Sequence, residues 1–170
     1  MGRKPYSYRK TVEECWSIST VFLNQQMLFN GGFKNTTMTW SIGGNKTGSI
    51  GMIISMFAGN EYIRLYYTQT DRFTDKSKEL DYKVRLVSTP CFYGGHRWWF
   101  LCPMTIDGNV CNRRVGVLYL GGGEYFGCRH CYDLTYLCQK ESGKYDSYFE
   151  QMGFNPKEAR RALFRKRHRQ

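Results

Sequence analysis

The chain has 170 residues, 41% of them hydrophobic and 16% aromatic, with a formal net charge of +11. That length supports one or two small domains with a real core, so a metal is not required merely to supply one. No run approaches the roughly eighteen apolar residues of a membrane span, the basic start MGRKPYSYRK leads into no apolar stretch before a cleavage site, and Tyr6 stands where a myristoylation signal after Gly2 wants Ser or Thr. The expectation is a soluble, cytoplasmic protein.

The charge is concentrated at the ends. Arg3, Lys4, Arg9 and Lys10 give residues 1–10 a charge of +4, and seven Lys or Arg against Glu158 give residues 157–170 a charge of +6, leaving +1 for the 146 residues between. Such ends either solubilise the chain or clamp phosphates as arms. On the second reading the candidate contacts are Arg3, Lys4, Arg160, Arg161, Arg165, Lys166, Arg167 and Arg169.

In chain order, Thr11-Val12-Glu13-Glu14 has capping-box spacing, so a helix is expected through CWSISTVFLNQQMLF. Val12, Cys15, Trp16, Ser19, Phe22, Leu23 and Leu28 would crowd its inner face, and Asn30-Gly31-Gly32 would stop it. A helix followed by a turn and strands raises the idea of a winged helix-turn-helix, although no second, recognition helix is evident. From Thr36 the pattern changes to strands: TMTWSI, SIGMIISMF, EYIRLYYTQT and LDYKVRLVST, separated by Gly43-Gly44-Asn45-Lys46, by Ala58-Gly59-Asn60 and by the charged DRFTDKSKEL, which reads as an exposed loop. Period-two alternation puts Ile50, Met52, Ile54 and Met56 on one side of a strand and Ile53 and Phe57 on the other, with both faces partly covered. It sets Ile63, Leu65 and Tyr67 on an apolar face against Tyr62, Arg64 and Tyr66, and sends Tyr82, Val84 and Leu86 inward. Four strands with short connections predict an antiparallel meander. Tyrosines beside Arg64, Lys83 and Arg85 could stack on single-stranded nucleic acid, but aromatic residues favour strands anyway, and core packing is the preferred reading.

The stretch Arg97–Cys138 holds five of the seven cysteines. Cys128 and Cys131 form a C-x2-C pair, whose tight turn lets two thiolates reach one tetrahedral Zn²⁺, and Cys111 stands at the distance expected of the other half of a four-cysteine site. Cys102 lies further from Cys111 than usual, so the first knuckle needs an inserted loop, for which Thr105-Ile106-Asp107-Gly108-Asn109 is suited. The predicted ligands are therefore Cys102, Cys111, Cys128 and Cys131 around one structural zinc. Paired cysteines in a reducing compartment favour metal over disulfides. HRWWFLC is expected to be the strand that delivers Cys102, with Trp98 and Phe100 on the same face as Cys102. RVGVLYL and EYFGC, joined by Gly121-Gly122-Gly123, are expected to be the two ribbon strands. Arg113, Arg114 and Arg129 either offset the thiolate charge or project outward, with His130, to phosphates or a partner's carboxylates. Cys91 and Cys138 are read as core residues, and His96 needs no special role.

The segments PCFYGGHRWWFLCP, CNRRVGVLYL and YFGCRHCYDLTYLCQKE resemble a family of uncharacterised bacterial and phage-borne proteins with a pattern like RWWF-x-CP-x-x-C-x-RRV-x-x-LYL and then YFxCRHCYxLTYxSQxE. The likeness extends upstream through LDYKVRLVSTPC and, more faintly, to Gly31–Trp40. It implies the same four cysteines as ligands. Two features depart from the pattern: the wider first pair, and Cys138 where the family often has Ser. The resemblance brings no activity with it.

After Tyr132-Asp133-Leu134-Thr135 a helix is expected toward Glu141, interrupted at Ser142-Gly143 and resumed in YDSYFEQMGF. Asn155-Pro156 opens a last helix, KEARRALFRKRHRQ, with a thin apolar seam. The reading is α+β: an antiparallel β meander joined to a four-cysteine zinc ribbon, with an N-terminal helix and C-terminal helices. Its regions are 1–35, 36–92, 93–138 and 139–170. The chain carries no G-x-x-x-x-G-K-S/T loop, no H-E-x-x-H and no G-x-S-x-G. Four thiolates would also leave zinc no open position for water. The expected function is non-enzymatic: a phage or mobile-element protein that binds DNA or RNA. The alternative is a protein-binding inhibitor or adaptor acting on a host nucleic-acid-processing or defence complex.

Overall fold

The computed structural model describes residues 9–70, 76–140, 146–156 and 158. The chain divides into two compact units, the first ending at Leu134 and the second beginning at Thr135. Among the described residues no helix is long and apolar enough to cross a membrane.

The first unit is dominated by antiparallel sheet. Strands β2 (Phe33–Ile42), β3 (Asn45–Ser55), β4 (Tyr62–Thr70), β5 (Ser77–Pro90), β6 (His96–Leu101) and β9 (Arg114–Val115) form a six-stranded sheet in sequence order. The meander predicted from Thr36 is present, and it reaches further than expected. HRWWFL joins the sheet as β6, so residues 93–101 extend the meander. The charged segment before Leu80 is not wholly loop. Ser77 pairs with Thr70, and Leu80, opposite Tyr67, is buried. Leu80 is the one apolar residue in the strand's opening stretch Ser77–Asp81, and it faces inward. Strand β5 pairs with β4 through Ser77–Arg85 and with β6 through Leu86–Pro90. It therefore ties the meander to the cysteine region.

One face of this sheet carries the core. Ile50, Met52 and Ile54 of β3, Ile63 and Leu65 of β4, Val84 and Leu86 of β5 and Phe100 of β6 are all buried, as the period-two alternation requires. They are covered by Ile18, Leu23, Phe29, Leu118 and Phe126. At roughly 1.5–3 kcal/mol for each fully buried large apolar side chain, this layer is the main source of the unit's stability.

The covering layer differs from the predicted N-terminal helix. Val12–Glu14 is a 3-10 turn, Trp16–Ser19 is a strand (β1), and only Thr20–Gln25 is α-helical (α1). Thr11 and Glu14 do close a capping-box turn, the Glu14 carboxylate accepting the Thr11 N–H (2.8 Å) and the Glu14 N–H donating to the Thr11 carbonyl (3.2 Å), and the buried Thr11 hydroxyl has no hydrogen-bond partner among the described residues. The cap thus closes one turn and stops. Beyond it, Trp16-Ser17-Ile18-Ser19 meets the free edge of β10 (Val117–Leu120) and pairs with it residue by residue. Serines that compete with helical hydrogen bonds, and an Ile and Trp that suit a pleated surface, make the strand the better local answer once that edge is available. The Thr20 N–H and hydroxyl both reach the Gly116 carbonyl (2.9 and 3.3 Å), fixing the change from strand to helix. The six-residue α1 is the single α-helix among the described residues of this unit, and they show no second helix beside it.

The predicted pairing of RVGVLYL with EYFGC is also revised. Arg114–Val115 pairs with β6, and Val117–Leu120 pairs with β1. One bridge, Tyr119 with Gly127, connects β10 to the segment that carries the second cysteine pair. In the second unit α2 spans Leu137–Lys140 and α3 spans Asp146–Gln151. The Glu158 N–H donates to the Asn155 carbonyl (3.1 Å), the expected opening turn after Asn155-Pro156.

Candidate metal centre

Each cysteine is positioned by a different piece of the fold. Cys102 follows directly on β6, one residue past Leu101, and inherits the buried face of Phe100. The eight residues between it and Cys111 form a miniature hairpin, β7 (Thr105–Ile106) with β8 (Asn109–Val110). Asp107 and Gly108 turn it with φ of 51° and 78°, the left-handed pair that a two-residue primed turn demands and that Asp-Gly adopts readily. The hairpin folds out and back. Below it the Cys111 N–H donates to the Met104 carbonyl (2.8 Å), the Asn112 N–H to the Cys102 carbonyl (3.2 Å) and the Cys102 N–H to the Arg113 carbonyl (3.0 Å). The long first spacing therefore costs the site nothing.

The second pair is held from the core. Phe126, fully buried, stacks on Trp40 and meets Tyr67 edge-on, with centroids at 6.1 and 5.8 Å. Its N–H donates to the Tyr82 hydroxyl (2.8 Å), Tyr82 and Tyr67 hydroxyls share a hydrogen bond (3.2 Å), and Tyr67 donates to the Glu124 carbonyl. Gly127 then exchanges both backbone hydrogen bonds with Tyr119 (2.8 and 2.9 Å). Directly after it, Cys128-Arg129-His130-Cys131 closes as a turn, with the Tyr132 N–H on the Cys128 carbonyl (3.3 Å) and the Leu134 N–H on the Arg129 carbonyl (2.9 Å).

These anchors bring the four sulfurs within 4.8 Å of one another. Cys102 lies 3.7 Å from Cys131, Cys111 lies 3.9 Å from Cys128, and Cys128 lies 3.5 Å from Cys131. A disulfide needs about 2.05 Å, so none of these pairs is bonded. A tetrahedron of sulfurs about 2.3 Å from its centre has edges of about 3.8 Å, and these three separations lie close to that spacing. The four cysteines can hold a metal ion.

Burial and hydrogen bonding set the thiols of this cluster apart from one another. Burial pushes the Cys102 thiol up to about 11, against the opposing pull of backbone N–H groups from Met104 and Cys128; the latter donates to its sulfur at 3.2 Å. Burial, followed by thiol hydrogen bonds shared with Cys128, Cys111 and Cys102, also raises Cys131. At Cys128 burial acts in the same direction, but the Cys131 and His130 backbone groups and the neighbouring thiols outweigh it and hold this sulfur below the ordinary thiol value. Cys102 and Cys131, raised by burial, are costly as thiolates, and a bound cation would remove that cost. Burial raises the adjacent Tyr132 phenol to about 12, so it stays protonated and donates to the Tyr125 carbonyl.

Comparison with family models, curated proteins and solved structures found no match.

Of the other candidate contacts, Arg113 and Arg114 are exposed and Arg129 is half-buried. Arg113 serves the site through its carbonyl. Arg114 pairs in register with Leu101, which faces away from the core. Arg3, Lys4, Arg160, Arg161, Arg165, Lys166, Arg167 and Arg169 lie outside the described residues. His96 and His130 are exposed. Cys91 and Cys138, read as core residues, are exposed instead: Cys91 opens the β5–β6 turn, where its N–H and carbonyl bond Gly95 and Gly94, and Cys138 lies on the four-residue α2. Sequence reasoning missed the tyrosine pair Tyr67 and Tyr82 as supports of the metal site. Their inward alternation was legible, but not their grip on residues 124–126, which lie 57 residues from Tyr67 and 44 from Tyr82 along the chain.

Proposed function

We infer that this is a zinc-ribbon protein that binds nucleic acid, with zinc in a structural role and the basic ends supplying phosphate contacts. The observation that carries the reading is the segregation of charge, +10 of the net +11 lying in residues 1–10 and 157–170. Ends of that kind gain counterion-release free energy on a polyanion. Zinc is the ion that four cysteine thiolates at this spacing suit best, and four sulfur donors leave a tetrahedral zinc no position for a reacting water. Cys102, Cys111, Cys128 and Cys131 would hold it, and its chemistry there is to fix the two knuckles to the end of β6. A non-enzymatic role follows from that closed donor set. The motif resemblance favours a phage or mobile-element setting.

The zinc-loaded chain should retard labelled DNA or RNA with an affinity that falls steeply between 50 and 200 mM salt, roughly a thousandfold for six phosphate contacts. Deleting residues 155–170 should weaken binding and flatten that slope. An affinity independent of salt and of the deletion would overturn the reading. A second reading, an inhibitor or adaptor docking on a host nucleic-acid-processing complex, has one observation in its favour. Phe92 and Tyr93, at the β5–β6 hairpin tip, are 94% and 95% exposed, an uncommon position for paired aromatic side chains. A stoichiometric partner captured from host lysate and resistant to nuclease would favour it.

A further inference from the structure

The face of the six-stranded sheet opposite the core is assembled from two kinds of side chain. The register places Tyr62 beside Arg85, Arg64 beside Lys83, Tyr66 beside Asp81, Val87 beside Trp99, Thr89 beside Arg97 and Leu101 beside Arg114. Residues paired in this way share a face, and all of these lie on the side away from Ile63, Val84, Leu86 and Phe100. The face thus holds five cations, Arg64, Lys83, Arg85, Arg97 and Arg114. Its acids among the described residues of β4, β5, β6 and β9 are Glu79 and Asp81, and Asp81 is taken up by Arg64. From Lys83 toward Arg114 the cations run without an acid between them.

The aromatic rings on this face are set as surfaces. Tyr66 crosses its neighbouring strand: a Cβ on Gly51 would stand 2.1 Å from two of its ring atoms, so the ring lies over the Gly51 backbone in space that only glycine leaves open. Its hydroxyl donates to the Asn35 side chain on the next strand (3.1 Å), which pins the ring across three strands while leaving it exposed. Lys83 lies over the Tyr62 ring at 4.5 Å and Arg97 over the Trp99 indole at 4.2 Å. The Trp99 N–H is held by the Thr89 hydroxyl (3.0 Å). Rings fixed in advance lose little conformational entropy when something stacks on them.

We propose that this open face binds single-stranded nucleic acid, its bases stacking on Tyr66, Tyr62 and the Arg97–Trp99 pair while Lys83, Arg85 and Arg114 contact the phosphates. Charge and shape both select that partner. An open sheet face bearing pinned rings between cations offers π surfaces and backbone charge contacts to bases that are splayed out. A duplex buries its base faces and could use only the charge. The proposal goes beyond binding by the basic ends, since it places the contacts on the folded sheet and specifies the strand form.

The test uses the full-length zinc-loaded chain with fluorescein-labelled oligo(dT) and oligo(U) of about twenty nucleotides and a duplex of equal length. Tyr66→Ala should weaken single-strand binding about 5- to 150-fold, the range of one lost base stack. Gly51→Ala, which keeps the tyrosine but drives its ring off the sheet, should weaken it in the same direction. The Lys83→Ala/Arg85→Ala double variant should reduce the log–log salt slope by about 1.4, from two lost single-strand phosphate contacts. Circular dichroism and metal content matching the parent establish that the variants are folded. The same losses in a chain lacking residues 155–170 would place the stacking on the sheet. If that deletion abolishes binding while the three sheet variants bind like the parent, this inference fails and the reading based on the ends stands. If the parent binds no oligonucleotide, both fail. Equal affinity for duplex and single strand, unaffected by Tyr66→Ala, also overturns it, as does a captured protein partner that Tyr66→Ala releases.

Discussion

Phe126 is where the metal site and the hydrophobic core are one structure, and truncating it tests that union. The ring is fully buried, stacked on Trp40, edge-on to Tyr67, and two residues from Cys128. Removing a buried phenylalanine side chain costs about 3–5 kcal/mol in transfer and cavity terms, and two ring contacts of this geometry place Phe126→Ala toward the upper part of that range. For a unit of this size about 3 °C of Tm corresponds to each kcal/mol, so the midpoint should fall by roughly 10–15 °C. Urea unfolding followed by far-UV circular dichroism reads the free energy, and Tyr66→Ala, on the open face, is the control, expected below about 1 kcal/mol. The metal content of folded Phe126→Ala should equal the parent's, since every ligand remains. A loss under about 1 kcal/mol, or one no larger than that of Tyr66→Ala, would refute the claim that the second knuckle is held from the core.

Gly127→Ala would place a methyl 2.5 Å from Met104 Cγ, against the segment that carries the first cysteine pair. It should cost about 1–3 kcal/mol by the same urea assay, with Met104→Ala in the same chain recovering part of the loss. Metal binding must displace protons from Cys102 and Cys131, both raised above the ordinary thiol value. Both are protonated near pH 7 in the metal-free chain, so stabilisation by the metal is present at high pH and lost as pH falls. Between pH 8 and 6 the apparent affinity should drop at least about 100-fold per unit, or about 2.7 kcal/mol, read by competition with a zinc chelator of known proton affinity. A flat profile would exclude proton displacement.

Much of the first unit was legible because its signals are local and periodic. Ile50, Met52, Ile54, Ile63, Leu65, Val84 and Leu86 alternate strictly and are all buried. The wide Cys102–Cys111 interval was readable as an inserted loop because Asp107-Gly108 announces a turn, and that loop is a hairpin returning Cys111 to Cys102. The failures share one cause. Residues 15–29 have a helical distribution of apolar side chains and a capping signature, and nothing local reveals that the β10 edge, about a hundred residues later, will pair with Trp16–Ser19. Val117–Leu120 does meet the expected partner EYFGC, through the Tyr119–Gly127 bridge, but its continuous pairing is with Trp16–Ser19, which nothing local in the sequence announces. Alternation set Tyr67 and Tyr82 on one face and Tyr62 and Tyr66 on the other; what it could not show is that the Tyr66 ring lies over Gly51 and that Tyr67 and Tyr82 hold residues 124–126.

The central claim is that four sequence-distant thiols act as one zinc site, and elemental analysis of the full-length chain purified without added metal tests it most directly. The account predicts about one zinc per chain, retained through dialysis, and its loss in both Cys111→Ser and Cys128→Ser, one from each side of the hairpin-spaced pairs. A chain without bound metal, a chain carrying another ion in place of zinc, or a Cys111→Ser variant that keeps its zinc in full would contradict it.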